Sequence, residues 1–153
     1  MKRYATSIKD FVSDGGHYFG FCLGAYLAGD DPGFELLPSG VNTDEESAQH
    51  NSEVKGEEDT VIRVDWTFSS GKEKGKTEKD RWLYFQDGAV ITGSKKKLED
   101  EGKVLGRYSK SGGVAAYVAK YGKGVVGVVG PHPEATKDWC KCSFVNPETD
   151  RCV

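Results

Sequence analysis

The chain has 153 residues, 37% of them hydrophobic and 29% charged, which suits a single globular domain over residues 1–153. A formal net charge of −3 provides no basic face for nucleic acid, and no apolar run approaches the roughly 20 residues that a membrane-spanning helix needs. Lys9, Asp10 and Asp14 interrupt the N-terminus, which therefore lacks the apolar core of a signal peptide. We predict a cytoplasmic protein that binds neither nucleic acid nor membrane.

The first elements surround Cys22. Apolar residues at helical spacing predict a helix over residues 4–13, and the Asp-Gly-Gly that follows ends it. The aromatic run HYFGFC, residues 17–22, predicts a short buried strand. The small apolar run LGAYLAG, residues 23–29, predicts the start of a buried helix. Cys22 therefore falls at a junction between a strand and a helix.

The middle of the chain alternates between short strands and polar segments. FELL, residues 34–37, predicts a short strand, and the acidic stretch 42–60 predicts a long loop because it has no apolar periodicity. VIRVDWTF, residues 61–68, alternates apolar and polar side chains and predicts a half-buried strand. The charged run 69–81 predicts a solvated loop or hairpin tip.

The last third indicates antiparallel strands. WLYF and AVIT, separated by the turn residues QDG, predict a hairpin over residues 82–92, and the charged run 95–103 predicts a connector. A strand over 103–109 is followed by a long hairpin over 113–130, with its turn at 121–124. The second arm of that hairpin is nearly all Val and Gly, as in a fully buried strand. The sequence thus predicts an α/β fold with a late antiparallel section.

Three of the four cysteines lie in the tail, residues 140–153. Cys140 and Cys142 are two residues apart and no second pair follows, so their spacing does not match a zinc site. We expect neither a metal nor another cofactor. The tail is predicted to carry reduced surface thiols, the alternative being a disulfide to Cys152 in an oxidising compartment.

Cys22 has the surroundings of a nucleophile. A cysteine on a tight turn from a strand into a helix is exposed on a rigid element, and the helix N-terminus favours its thiolate. Gly20 and Gly24 flank it in the pattern G-x-C-x-G, as a crowded turn requires, and the backbone N–H of Leu23 could face a developing oxyanion. The alternative is an inert cysteine buried in a glycine-rich strand.

The run GPHPEA offers a base for that thiol. His132 follows a buried strand, and Glu134 projects to the same side in an extended backbone, where its carboxylate can hold the imidazole in one tautomer. The alternative is a histidine that hydrogen-bonds locally in a proline turn. For the other histidines, His17 and His50, we predict surface roles. The order Cys, His, Glu argues against an α/β-hydrolase.

Two segments carry a family resemblance. GGHYFGFCLGAYLAG, residues 15–29, and YGKGVVGVVGPHPE, residues 121–134, resemble the class I glutamine amidotransferase-like superfamily, and most closely the biotin-protein ligase N-terminal domain family. The resemblance rests on four features: the nucleophile elbow, which is the tight turn at Cys22 with its flanking glycines, a run like WLYFQDGAVI, the GKG turn and a terminal HPE. It extends from about residue 8 to about residue 139. It implies a flavodoxin-like open sheet of the class I glutamine amidotransferase type.

The resemblance also implies a reaction, the hydrolysis of an amide through a thioester. Carried over by motif, Cys22 would be the nucleophile and His132 the base and then the acid. Glu134 would orient the imidazole, and the Leu23 N–H would form half of the oxyanion hole. The protein would then be a cysteine-dependent amidase acting on a small-molecule amide.

Three departures qualify the resemblance. The family places strands and a glycine-rich loop upstream of the cysteine, and we expect a chain truncated at its N-terminus relative to that pattern. Residue 23 is Leu, whereas related peptidase-like families carry histidine there. No arginine- and glycine-rich biotin-adenylate loop is present, so we do not expect a biotin ligase by itself. One alternative is a non-catalytic binding or regulatory domain. Another is a partial fold that binds itself or a protein partner through an exposed sheet edge.

Overall fold

The computed structural model describes residues 2–136 and residue 139. Their secondary-structure elements, in chain order, are α1 (Lys2–Ser13), β1 (His17–Phe21), α2 (Leu23–Ala28), β2 (Val41–Glu45), β3 (Thr60–Thr67), β4 (Thr77–Phe85), β5 (Ala89–Gly93), α3 (Lys95–Glu101), β6 (Gly102–Tyr108), β7 (Val114–Tyr121) and β8 (Gly124–Val129). No helix among these is long and apolar enough to cross a membrane.

The eight strands form one mixed sheet, which confirms the α/β class. Its main path runs β1-β8-β7-β6-β3-β4, and β5 attaches β2 to β7. The pair β1–β8 is parallel, with Phe21 beside Val129, and the other strand pairs of the described residues are antiparallel. Parallel neighbours end at the same edge of a sheet, so the residues that follow β1 and β8 come together.

Two hydrophobic clusters stabilise the sheet. The larger one packs α1 and α2 against β8 and β7, with buried side chains that include Val12, Ala25, Ala28, Leu36, Tyr117, Val126 and Val128. The smaller one lies on β3 and its neighbours, with buried side chains that include Ile62, Val64, Phe85, Tyr108 and Ala115. Each fully buried aliphatic or aromatic side chain contributes about 1.5–3 kcal/mol. Phe85 and Ala89 belong to different clusters, so the loop between them, residues 86–88, is fixed at both ends.

The most periodic segments fold as predicted. The helix over residues 4–13 lies within α1, and the strand and helix around Cys22 are β1 and α2. In β3 the alternating side chains of Ile62 and Val64 are fully buried. The late hairpin is β7–β8, and its turn pairs Tyr121 with Gly124 as expected.

The hairpin predicted over residues 82–92 is wrong. Its first arm belongs to β4 and pairs with β3, whereas its second arm is β5 and pairs with β2 and β7. The reason lies in the QDG segment, where Asp87 has a φ of 45° and a Cβ at Gly88 would collide with the Gly130 carbonyl. The loop therefore packs against the end of β8 instead of closing a tight turn.

The strand predicted over residues 34–37 is also wrong. Phe34 and Leu36 are buried, as the apolar pattern indicates. Their N–H groups, however, donate to carbonyls of α2, Phe34 to Leu27 at 2.6 Å and Leu36 to Ala28 at 2.9 Å. The segment satisfies its backbone on the end of a helix and therefore does not join the sheet.

The charged segments contain more regular structure than their composition predicts. Residues 42–45 of the acidic stretch lie in β2, and residues 77–81 of the next charged run lie in β4. The connector predicted over 95–103 contains α3, because the Ser94 hydroxyl caps that helix by accepting from the Lys97 N–H at 3.3 Å. The cysteine tail, residues 140–153, lies outside the described residues.

Glu46 is a fully buried carboxyl group in the acidic stretch. Neither carboxyl oxygen has a hydrogen-bond partner within the described residues. The hydroxyl of Ser52 donates to Val54, and that of Ser111 accepts from Gly113. Burial raises the pKa of Glu46, and the two nearby hydroxyls offset that rise only in part.

Candidate active site

Cys22 sits on a strained turn between β1 and α2. Its backbone has a φ of 46° and a ψ of −109°, in a region that residues other than glycine rarely adopt. Backbone hydrogen bonds hold it there: its N–H donates to the Val129 carbonyl at 2.9 Å, and its carbonyl accepts from the Ala25 N–H at 2.8 Å. The side chain is half-buried. The turn presents the thiol at the edge where β1 and β8 end.

The two elbow glycines differ in what the turn requires of them. A Cβ at Gly20 would collide with the carbonyl of Gly24, so position 20 tolerates no side chain. A Cβ at Gly24 would meet only the Tyr18 hydroxyl at 3.8 Å, an ordinary contact. The Leu23 N–H has no hydrogen-bond partner in the part of the chain that the structure describes, and the Leu23 residue is 64% exposed. That N–H is available to a ligand.

His132 and Glu134 come together just beyond β8. The His132 N–H donates to the Tyr84 carbonyl at 2.9 Å, and this antiparallel bridge fixes the backbone of the histidine. Its Nδ1 lies 2.7 Å from Glu134 Oε1, and its side chain is only 14% exposed. The carboxylate thus holds one ring nitrogen and leaves Nε2 for another partner.

The structure also brings Cys22 to His132. The pKa of His132 is raised from 6.5 to about 8, chiefly by a side-chain hydrogen bond with Cys22, against a lowering by burial. The hydrogen bond with Glu134 raises it further. An imidazole with this pKa is largely protonated at neutral pH. All three residues predicted for catalysis therefore lie in one interacting group.

Two aromatic side chains that the sequence did not single out pack against the histidine. The ring centroids of Tyr84 and Trp139 lie 5.6 and 5.3 Å from that of His132, and the two rings are 5.5 Å from each other. Such packing limits the rotation of the imidazole. The sequence signal was the aromatic run WLYF, whose Tyr84 reaches the site by pairing with His132 and not through a hairpin.

The loop over residues 86–88 forms the other wall of the site. The Cys22 thiol donates to the Gln86 carbonyl oxygen at 3.4 Å. The carbonyl of Asp87 accepts from the Tyr26 hydroxyl at 3.1 Å, and its carboxylate accepts from the Ser47 hydroxyl at 2.8 Å. Burial, and next the Asp87 charge, raise the pKa of Tyr26, which keeps its hydroxyl a donor. The role of this loop is not visible in the sequence, because its contact with the thiol is made by a backbone carbonyl, which every residue type carries.

Neither of the other histidines reaches this group. His17 is an exposed residue at the start of β1, and His50 is exposed and contacts the side chain of Asn51 at 2.8 Å. Among the described residues, no group of three or more His, Cys, Asp or Glu side chains is arranged to hold a metal ion.

Comparison with known structures gives matches that are low in sequence identity. The beta-galactosidase of Bacillus circulans sp. alkalophilus is 16% identical with a TM-score of 0.49, over 84% of this chain and 18% of that one. The beta-galactosidase of Rahnella sp. R3 is 19% identical with a TM-score of 0.49, over 83% and 18%. A cytoplasmic protein of Salmonella typhimurium LT2 is 13% identical with a TM-score of 0.45, over 82% and 47%. The chain thus spans less than a fifth of each galactosidase and about half of the Salmonella protein.

Comparison with protein families gives a match at the N-terminal end, and comparison with curated proteins found none. The matching family is described as biotin-protein ligase, N terminal, and the match covers residues 1–46. These residues include α1, β1 and α2, and with them Cys22 and the elbow glycines, whereas His132 and Glu134 lie beyond the match. Over residues 1–46 the chain is similar to the biotin-protein ligase N-terminal family, and the predicted resemblance to that family is confirmed.

Proposed function

We propose that the protein is a cysteine-dependent hydrolase of amides, of the class I glutamine amidotransferase-like type. One observation carries the proposal: Cys22, on a strained turn, interacts with His132, whose Nδ1 is 2.7 Å from Glu134. A nucleophile, a base and a group that orients the base are the three parts of covalent acyl transfer. The flavodoxin-like type of sheet belongs to the same proposal, supported by the parallel pair β1–β8 and the helix after β1.

In the proposed reaction the Cys22 thiolate attacks the carbonyl carbon of a primary amide. The oxygen that becomes negative would receive a hydrogen bond from the Leu23 N–H. The imidazolium of His132 protonates the leaving nitrogen, ammonia departs, and a thioester remains on Cys22. His132, now neutral, removes a proton from water, which attacks the thioester and releases a carboxylic acid. Glu134 holds the imidazole orientation throughout.

The substrate in this proposal is a small-molecule amide, and the reaction takes place in the cytoplasm. Removal of one donor from an oxyanion hole reduces catalysis by a factor of about 100–1,000. In this proposal Leu23 supplies one such donor, so we expect a low rate of acylation by an unactivated amide. The first test therefore uses an activated ester, because its good leaving group makes acylation measurable even when the enzyme is slow.

The test is a burst of p-nitrophenolate from p-nitrophenyl acetate, in a chain with Cys140, Cys142 and Cys152 replaced by serine. We expect a burst approaching one equivalent per chain and a mass increase of one acetyl group on Cys22. Cys22→Ala should abolish both, and His132→Ala should slow the burst at least 100-fold, the lower end of what a general base contributes.

The matched control is His50→Ala, because it removes an exposed imidazole that contacts Asn51 and does not reach Cys22, His132 or Glu134, and it should leave the burst unchanged. If the burst survives Cys22→Ala, or if His132→Ala and His50→Ala behave alike, the proposed assignment is wrong. After a positive result, measurement of ammonia released from a panel of primary amides, glutamine among them, would identify the substrate class.

A further inference from the structure

The loop over residues 86–88 is attached to the site by more contacts than a connection between strands needs. Gln86 accepts from the Cys22 thiol, and Asp87 accepts from both Tyr26 and Ser47. Asp87 itself has a φ of 45°. The loop is therefore held in a specific conformation by side chains from two other parts of the chain.

Cys22 is the residue that precedes α2, and Tyr26 lies within that helix. Cys22 and Tyr26 are four residues apart, and the Tyr26 N–H donates to the Cys22 carbonyl at 3.2 Å. The side chains of both residues contact the 86–88 loop, Cys22 at the Gln86 carbonyl and Tyr26 at the Asp87 carbonyl. A change in the Tyr26 contact therefore moves the Gln86 carbonyl relative to the thiol, with the elbow as the common base.

The Gln86 contact favours one protonation state of Cys22. A carbonyl oxygen only accepts hydrogen bonds, so it can bond to the protonated thiol but not to the thiolate. His132 has the opposite preference, since its imidazolium pairs with the thiolate. The thiol thus lies between a carbonyl that bonds only to its protonated form and an imidazolium that pairs with its deprotonated form.

We propose that Tyr26 is a positioning residue for Cys22: with Ser47, it fixes the 86–88 loop so that the Gln86 carbonyl accepts from the protonated thiol and holds its orientation. The proposal deepens the proposed function and rests on it for the consequence on acylation. The contact between thiol and carbonyl itself does not depend on which substrate the protein hydrolyses.

Several titratable groups face this contact. Those that interact with Cys22 are His132 beyond β8, Tyr26 on α2 and Tyr108 on β6. The remaining ionisable groups of the surroundings are the carboxyl groups of Asp44, Glu45, Glu46, Asp87 and Glu134. Tyr26→Phe and Ser47→Ala leave His132, Tyr108 and these carboxyl groups in place, and the raised pKa of Tyr26 means that its hydroxyl carries no charge in the parent chain. A change in the pH response of the thiol in these variants therefore reports the position of the loop.

The experiment measures the rate of Cys22 alkylation by iodoacetamide between pH 5 and pH 10, in the chain without tail cysteines. With Tyr26→Phe we expect the midpoint of the pH profile to fall by about 0.5–1 pH unit, and the rate at pH 6 to rise about fivefold, as for the loss of one hydrogen bond. Ser47→Ala should shift the midpoint in the same direction and by less, because the Tyr26 bond remains.

Tyr18→Phe is the matched control. It removes a tyrosine hydroxyl that donates to the Gly24 carbonyl at 2.6 Å, at the same turn, and no hydrogen bond joins Tyr18 to residues 86–88 in the described part of the chain, so the midpoint should not move. An unchanged midpoint in both Tyr26→Phe and Ser47→Ala would overturn the proposal, as would an equal shift in Tyr18→Phe. If Tyr26→Phe fails to fold by circular dichroism, Ser47→Ala alone decides.

The burst assay separates this inference from the proposed function. A midpoint shift without any burst in the parent chain would support the contact between loop and thiol and refute the hydrolase. A burst in the parent chain without a midpoint shift in Tyr26→Phe and Ser47→Ala would support the hydrolase and refute the positioning role of Tyr26. If both hold, Tyr26→Phe should alkylate faster at pH 6 and acylate more slowly, because loss of orientation affects attack on a carbonyl more than reaction with a small alkylating agent.

Discussion

The protonation of His132 is the property of the site that can be measured most directly. The pKa of about 8 lies above the usual 6.5 because the raising effects of Cys22 and Glu134 exceed the lowering effect of burial. At 1.36 kcal/mol for each pH unit, the difference corresponds to about 2 kcal/mol in favour of the imidazolium in the folded protein. With the side chain only 14% exposed, solvent screens little of this.

Removing the causes one at a time should lower the pKa of His132 in the order of their size. Cys22→Ala removes the largest raising effect and should lower it more than Glu134→Gln does. In the double variant only burial remains, and burial lowers the pKa, so the imidazole should titrate below 6.5. The pKa of His132 should thus lie above 6.5 in the parent chain and below 6.5 in the double variant.

The assay is an NMR titration of the imidazole C2–H signal between pH 5 and pH 10. His17 and His50 are replaced by glutamine so that one imidazole is observed. A parent protein that titrates at or below 6.5 would refute the reasoning. An unchanged pKa of His132 in Cys22→Ala would also refute it, because the thiol would then not be the partner of the imidazole.

The same pKa makes a prediction about stability. Because the folded-state pKa is raised, the stabilisation of about 2 kcal/mol is fully present below pH 6.5 and is lost as the pH rises through about 8. Urea unfolding of the parent chain should therefore show a free energy of unfolding that declines over this window. The Cys22→Ala/Glu134→Gln variant should lack that decline, and an equal decline in both proteins would contradict the assignment.

Further predictions concern the elbow and the buried carboxyl group. Gly20→Ala should lower the thermal midpoint and the alkylation rate of Cys22, because its Cβ would collide with the Gly24 carbonyl, whereas Gly24→Ala should be far milder in both thermal melting and alkylation. The raised pKa of Glu46 means that its protonated form is stabilising below the usual value of 4.5, and that this stabilisation is lost as the pH rises. We therefore expect the free energy of unfolding of Glu46→Gln, measured relative to the parent in urea, to be about 1–3 kcal/mol more favourable at pH 7 than at pH 4. Glu45→Gln changes an exposed neighbour and should show no such difference between the two pH values.

Sequence patterns predicted the parts of the fold that local periodicity determines. The alternation in β3 and the Val- and Gly-rich arm of β8 identify buried strands because one face, or both, must exclude water. The junction at Cys22 was predictable for the same reason, since a strand pattern changes into a helix pattern at that residue. The HPE segment indicated that the side chains of His132 and Glu134 can contact each other, because they are two residues apart.

Partners that are distant in sequence were not predictable in the same way. β4 and β5 are adjacent in the chain and look like a hairpin, yet each pairs with other strands. The choice depends on Gly88 packing against Gly130, a contact between backbones that no side-chain pattern records. Glu46 lies in the stretch that is predicted as a long loop because it has no apolar periodicity. Its carboxyl group is buried nonetheless, although acidic residues are seldom buried without a partner.

The proposed chemistry depends on the register of a single parallel pair. Phe21 lies beside Val129, and the Cys22 N–H continues the pairing by donating to the Val129 carbonyl. The nucleophile is thus one residue beyond β1 and the base three residues beyond β8, at the same edge of the sheet. Since a slip of one residue reverses which face each side chain of a strand occupies, the thiol and the imidazole can meet only in this register. The position of the base is fixed again by its bridge to Tyr84, so the site should withstand changes in the long loops that separate the two motifs.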